Sequence, residues 1–167
     1  IYESDAAVAF DDTVFPSGCM EIIFNLGSGN WQTAVDDTYI TMPPVELWGQ
    51  IVKPLAVRSI GRNTMLGIRF YPHAAACFLG GQVGQFNNQV IDFNDIYTVR
   101  ELHARLLENT DWKKRIVLLE EFLLKQLDVS TKKLSKMEVM GHIMNEIRKG
   151  DFYENITGIA SRYGITS

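Results

Sequence analysis

Met20–Leu26 is rich in β-formers, and every second residue, Met20, Ile22, Phe24 and Leu26, places an apolar side chain on one side of an extended chain. That period of two is the mark of a half-buried β-strand. It follows Phe15-Pro-Ser-Gly18, where proline at the second and glycine at the fourth position suit a type I turn. Gly27-Ser-Gly-Asn30 then reverses the chain into a strand near Trp31–Val35, and Asp36-Asp37 turns it again before Tyr39–Met42. Further strands are predicted at Leu47–Val52 and Leu55–Ile60. Gly61-Arg-Asn-Thr64 reads as a hairpin signal leading into Met65–Phe70. Short strands at this spacing predict a small antiparallel barrel or sandwich.

After Tyr71-Pro72 the period changes to that of helices. Pro72 suits a helix start, and His73–Leu79 is predicted as a short helix closed by Gly80-Gly81. Residues 84–95 read as a loop with a brief apolar piece at Val90–Phe93. Helical spacing resumes at Val99–Leu107 and strengthens over Asp111–Leu127, where Ile116, Leu119, Leu123 and Leu127 fall in register. Val117, Leu118, Phe122 and Leu124 widen that stripe beyond what one packed face needs, so a dimer seam stands beside own-core packing as its use. Residues 128–135 are polar and unpatterned, a linker. A further helix runs over Lys136–Lys149 on Val139, Met140, Ile143, Met144 and Ile147, and Gly150 ends it. Ile156, Ile159, Ala160 and Tyr163 then form one more stripe, with Gly164 where a left-handed turn is needed, Ile165 as a corner plug and Thr166 as an N-cap for a following helix. This is the pattern of the first half of a helix-turn-helix. Asn155-Ile-Thr157 also matches a glycosylation sequon, discarded because it falls at a helix start. The expected layout is a sensing domain at 1–128, a linker at 129–135, and the start of a helical domain at 136–167.

Composition adds bounds. Hydrophobic content of 46% and charged content of 22% place the chain among folded globular domains and not among disordered ones. No apolar run approaches a membrane span and no signal peptide opens the chain, so a cytoplasmic location is expected. The chain opens on Ile1 and stops within the motif at Ser167, so both natural ends are expected to lie outside it. Residues 1–110 carry 6 Lys+Arg against 12 Asp+Glu, and residues 111–167 carry 10 against 8. An acidic front and a mildly basic rear fit a sensing part joined to a DNA-facing part.

Cys19 and Cys77 lie among apolar neighbours without Cys-x-x-Cys spacing and read as buried free thiols. His73 precedes Cys77 by four residues, but nothing in the sequence favours a reactive thiol there. Glu21 and Arg69 each interrupt an apolar strand on the side opposite its main hydrophobic set. Were those strands neighbours, the pair would be a structural salt bridge or, in the sharper reading, the polar anchor of a ligand pocket with Trp48, Tyr39 or Phe70 as walls. Arg58, Arg62 and Lys53 gather around the expected Val57–Met65 hairpin; an anion site is one reading of them, but exposed hairpin charges of this kind usually just solvate a turn.

The order of parts resembles the AraC/XylS-type transcriptional regulators with a cupin-like sensor ahead of the DNA-binding region. The carrying segments are Pro16-Ser-Gly-Cys-Met-Glu-Ile-Ile-Phe-Asn-Leu-Gly27, Leu66-Gly-Ile-Arg-Phe-Tyr-Pro72, Ala76-Cys-Phe-Leu-Gly80, the helix at 136–149, and Ile156–Ser167. The resemblance implies an α+β fold, a cupin-like β-barrel followed by helices and ending in a partial helix-turn-helix. It implies that Lys136–Lys149 is the packing helix before the first motif and Ile156–Tyr163 the first helix of that motif. Double-stranded DNA, a small-molecule effector and a second copy of the chain are the expected partners. Arg162, Thr166 and Ser167 are the expected DNA-side residues, with Arg162 on phosphate. Glu21, Trp48, Arg69 and Tyr39 are the expected ligand-site residues. Cupin enzymes hold metals with histidines and a glutamate. His73, His103 and His142 are too scattered for that and form no His-x-His pair, so neither a metal, a cofactor nor catalysis is expected. The alternatives are a metal-free small-molecule-binding barrel or cupin-type enzyme with a helical cap, and a pure dimerisation module.

Overall fold

The computed structural model describes residues 1–167 apart from 37, 81–82, 128–130, 151–154 and 166–167, with the backbone alone at 5–8, 131–136, 148 and 156. The chain divides into two compact units, Ile1–Leu127 and Asp128–Ser167.

The first unit is α+β, an antiparallel sheet curled into a half-barrel and followed by helices. Its strands are β1 (Tyr2–Val14), β2 (Met20–Asn25), β3 (Asn30–Val35), β4 (Thr38–Thr41), β5 (Val45–Trp48), β6 (Leu55–Phe70) and β7 (Val90–Asp92), in the order β4-β3-β6-β2-β5-β7 with β1 also on β6. The sixteen-residue β6 organises the sheet. One edge pairs with β1 from Leu55 to Met65; the other pairs with β3 over Val57–Ile60 and with β2 over Met65–Phe70.

The predicted hairpin at Gly61–Thr64 is therefore corrected to a bend inside one continuous strand. Gly61 has φ +78° there, and the register with β1 slips between Ala6 and Phe10. These are the features of a bulge, which needs the same glycine and polar residues as a turn. The β2–β3 turn closes over the bend, with the Leu26 and Gly29 amides donating to the Thr64 and Arg62 carbonyls at 2.6 and 2.7 Å. Gly27 sits so close that an added Cβ would lie 2.3 Å from the Arg62 carbonyl oxygen. Asn63, fully buried in the bend, donates to Ser59 Oγ at 2.8 Å and accepts from Asn25 Nδ2 at 3.2 Å.

Strand alternation sends two apolar sets to opposite faces. Met20, Ile22, Phe24, Val45, Leu47, Leu66 and Phe70 pack against the helices, joined by Phe93, Val99, Leu106, Leu118 and Leu119. Fully burying a side chain such as Phe24 is worth about 1.5–3 kcal/mol, so this face carries most of the unit's cohesion. Trp31, Trp48, Val57 and Met65 form a second, smaller cluster on the inner face of the curl.

The helices of this unit are α1 (Ala75–Leu79), α2 (Arg100–Glu108) and α3 (Trp112–Gln126), the last capped by Asp111, which accepts from the Lys113 amide. His73 lies before α1, stacked on Tyr71 at 5.7 Å, and not within the helix as predicted. In α3 the core positions are Arg115, Leu118 and Leu119, while Ile116, Val117 and Leu124 are exposed. Cys77 is buried as expected, but Cys19 only half so. The Val90–Asp92 piece, read as loop, forms the short edge strand β7, and β1 had no predicted counterpart.

The second unit holds α4 (Thr131–Lys149) and α5 (Ile156–Arg162). Helix α4 begins at Thr131, inside the stretch read as linker. Its polar composition misled: a stretch with so few apolar residues shows no readable helical period.

Candidate functional site

Glu21, Arg69 and Trp48 come together because three strands put them in register. Glu21 lies opposite Arg69 across β2–β6 and opposite Trp48 across β2–β5. Directly opposed residues share a face, here the inner one. Arg69 Nε and Nη2 both reach Glu21 Oε1 at 2.9 Å, with the arginine side chain 63% exposed and the glutamate 25%. The pair stands at the edge of an inner-face cavity of about 350 Å³, lined also by Tyr2, Ile23, Trp31, Trp48 and Met65. An apolar cleft with a few convergent polar groups is the usual form of a small-molecule site.

Tyr39 and Phe70 are not walls of this cavity. Tyr39 is on β4, opposite Ala34 and therefore on the other face from Trp31 and Thr33. The Arg58 guanidinium lies 4.0 Å from its ring centroid and makes a two-pronged ion pair with Asp11, Nε–Oδ1 2.6 Å and Nη2–Oδ2 2.9 Å. The Asp11 hydrogen bond from Arg58 holds its carboxyl below the usual range. Phe70 is buried on the helix side, 5.4 Å from Phe78. Arg58, Arg62 and Lys53 do not converge either: each lies in a different setting, Lys53 on a second cavity of about 420 Å³ with Thr33, Ile51, Leu55 and Val90.

Sequence reasoning missed Glu46. It is 1% exposed on β5, one pleat from Trp48, whose indole N–H donates to its Oε2 at 2.7 Å. Burial pushes this carboxyl up to about 8, against the lowering effect of the Trp48 hydrogen bond. Val45-Glu-Leu-Trp48 held the signal: Val45 and Leu47 claim the helix side, which forces Glu46 and Trp48 inward together. Trp31, on the same inner face, keeps a buried indole N–H with no acceptor among the described residues.

The family described as a domain of unknown function, DUF6597, matches residues 1–92. The chain belongs to this family. No curated protein and no solved structure matches the chain. The DUF6597 region ends where β7 ends, so it takes in the whole sheet and every inner-face residue named above, and leaves α2 to α5 outside. Among the described residues of the chain, no three His, Cys, Asp or Glu side chains gather as metal ligands. Of the histidines in or beyond the DUF6597 region, His103 sets Nε2 2.8 Å from the Asn25 carbonyl oxygen, and His142 is exposed on α4. Nor is any described helix long and apolar enough to cross a membrane.

Beyond the DUF6597 region, α5 is built from both ends. Asn155 caps it, accepting the Gly158 amide at 2.9 Å. At the other end Gly164 takes φ +64°, its amide donates to Ser161, and the Ile165 amide donates to Ala160. This doubled closure satisfies the last carbonyls through a left-handed glycine. Glu146 of α4 ties the two helices, accepting from the Tyr163 hydroxyl at 2.7 Å and pairing with Arg162 at 3.1 Å. That hydrogen bond raises the Tyr163 hydroxyl above the ordinary phenol range. Ile143 and Ile159 are buried. Arg162 is thus engaged by a carboxylate; Thr166 and Ser167 lie outside the described residues.

Proposed function

We propose that the chain is the sensing domain of an AraC/XylS-type transcriptional regulator together with the first part of its helix-turn-helix domain. The observation that carries this reading is the end of α5. A short helix with buried Ile159, closed by a left-handed Gly164 and joined to a preceding helix through Glu146, supports the first helix of such a motif. Membership of the DUF6597 family fits a sensing module at residues 1–92 and is silent on its ligand.

In this reading the inner cavity of the half-barrel takes a small-molecule effector. Glu21 and Arg69 supply polar anchoring, and Trp48 and Trp31 supply apolar walls. Occupation of the cavity would alter how the helices beyond the sheet present the reading elements to DNA. The exposed Ile116, Val117 and Leu124 on α3 suit contact with a second copy, as paired half-sites require. Light scattering that returns a monomeric mass at high concentration counts against that contact.

The test is the natural coding frame past Ser167 and the behaviour of its product. An Arg-bearing amphipathic helix directly after Thr166-Ser167, a second Ala-x-x-x-Gly turn, and salt-dependent binding of the full-length product to duplex DNA support a regulator. A stop codon near Ser167 overturns it. The chain would then be a small-molecule-binding barrel, or a metal-free cupin-type enzyme, with a helical cap.

A further inference from the structure

A further cavity, of about 410 Å³ and distinct from those lined by Glu21 and by Lys53, opens on the sheet face opposite the inner one, between the β2–β3 turn, β6 and the start of α3. Its lining is polar: Ser28 from the turn, Arg62 and Thr64 from β6, and Thr110 just before the α3 cap. Arg115, one turn into α3, lines it too and is only 7% exposed.

Burying a guanidinium is costly unless a carboxylate or several acceptors meet it. Arg115 has neither among the described residues. Its Nε donates to the Leu106 carbonyl at 2.9 Å, in the last turn of α2, and its Cζ lies over the Trp112 ring, 4.4 Å from the centroid. These contacts fix the orientation of the group and use one of its five N–H donors. The ion pairs among the described residues are Arg58–Asp11, Arg69–Glu21 and Arg162–Glu146, and none involves Arg115. The Nη donors therefore meet no acceptor among the described residues, on a side chain that lines a polar cavity. A second arginine, Arg62, lines the same cavity, with the hydroxyl-bearing residues Ser28, Thr64 and Thr110.

We infer that this cavity is a binding site for the oxyanion group, phosphate or carboxylate, of a small molecule. Planar guanidinium groups match the paired oxygens of such groups, and a pre-oriented guanidinium loses little freedom on binding. Glu3 also lines the cavity. A carboxylate there repels a bare anion and accepts from a neighbouring hydroxyl or amine, so the fitting ligand carries a hydrogen-bond donor beside its oxyanion. All of these residues belong to the first unit, so the site is independent of what the terminal helices do.

The experiment is thermal unfolding of the whole chain titrated with inorganic phosphate, and separately with acetate, against chloride at matched ionic strength and neutral pH. A saturable rise in Tm with phosphate or acetate beyond that with chloride is expected. A larger rise with phosphate assigns a phosphorylated ligand, and a larger rise with acetate a carboxylate one. Arg115→Lys and Arg62→Gln should each raise the half-saturating concentration by about tenfold, and Glu3→Gln should lower it. Arg62 is exposed, so Arg62→Gln carries the comparison if Arg115→Lys does not fold. Phosphate and acetate acting no differently from chloride, or both arginine variants keeping the wild-type half-saturation, would overturn the assignment.

Discussion

Trp48 donates its indole N–H to Glu46 across 2.7 Å, and the carboxyl that receives it is almost completely removed from water. Burial holds that carboxyl protonated up to about pH 8, whereas in the unfolded chain it ionises near the ordinary glutamate value of 4.5. Below 4.5 both states are protonated and the full benefit of the neutral group is present. Between 4.5 and 8 the folded state holds a proton that the unfolded state has released, so stability falls as pH rises, by about 1.4 kcal/mol per pH unit at most. Glu46→Gln keeps an acceptor for Trp48 and removes the titration. Urea denaturation from pH 5 to 9 should show a decline in the wild type that flattens in the variant; parallel curves would refute this account of Glu46.

Glu21 and Arg69 present a different case, an ion pair whose arginine stands in water and whose glutamate is partly covered. Exposed pairs contribute about 0–1 kcal/mol, so Arg69→Ala should leave the unfolding midpoint within the range of an ordinary surface change. If the cavity holds the effector, the same variant loses the ligand-induced rise in Tm. A variant that unfolds outright would return the pair to a structural role.

Gly49 follows Trp48 where the chain around Phe86 crosses β5. A Cβ there would meet the Phe86 carbonyl oxygen at 1.6 Å. Backbone cannot yield as a side chain does, so Gly49→Ala should cost about 3 kcal/mol or more, at the high end for overpacking. Denaturant titration reads this directly, and a loss below about 1 kcal/mol would mean the helical turn ending at Phe86 can move aside.

Asn155 gives α5 its N-terminal acceptor. Asn155→Ala should cost about 1 kcal/mol locally and speed exchange of the Gly158 amide about fivefold. Unchanged exchange at Gly158 would show that water replaces the cap at no cost.

The sheet side of this molecule was legible where one face is buried. Met20, Ile22 and Phe24 alternate because the helices cover only their side, and the same alternation placed Glu21 and Arg69 opposite that core. Pairing between β2 and β6 was not readable, since register depends on partners far apart in sequence; the structure supplied it and so brought the two charges together. Tyr39 failed as a wall because a one-residue change of parity moves a side chain through the sheet. At Gly61–Thr64 a bend and a turn ask for the same residues, so local chemistry could not tell them apart. Strand β1, with its run of Asp and Ala, has too little apolar alternation to announce itself, and it is held by β6 instead. Arg115 was invisible for a simpler reason: a periodicity reading assigns α3's buried stripe to aliphatics, and here an arginine occupies one of its places.

One consequence follows from the length of β6. It lends one edge to β3 and then to β2, and its other edge to β1, so neither half of the sheet owns a backbone border along which it could peel away. Between Arg62 and Arg69 successive residues of this one strand serve two separate cavities, Arg62 and Thr64 on one face and Met65, Gly67 and Arg69 on the other. A molecule settling on either side would tighten the same eight residues. The two faces of the domain would then share a single mechanical spine, and what is felt on one would be registered on the other without any contact between the occupants.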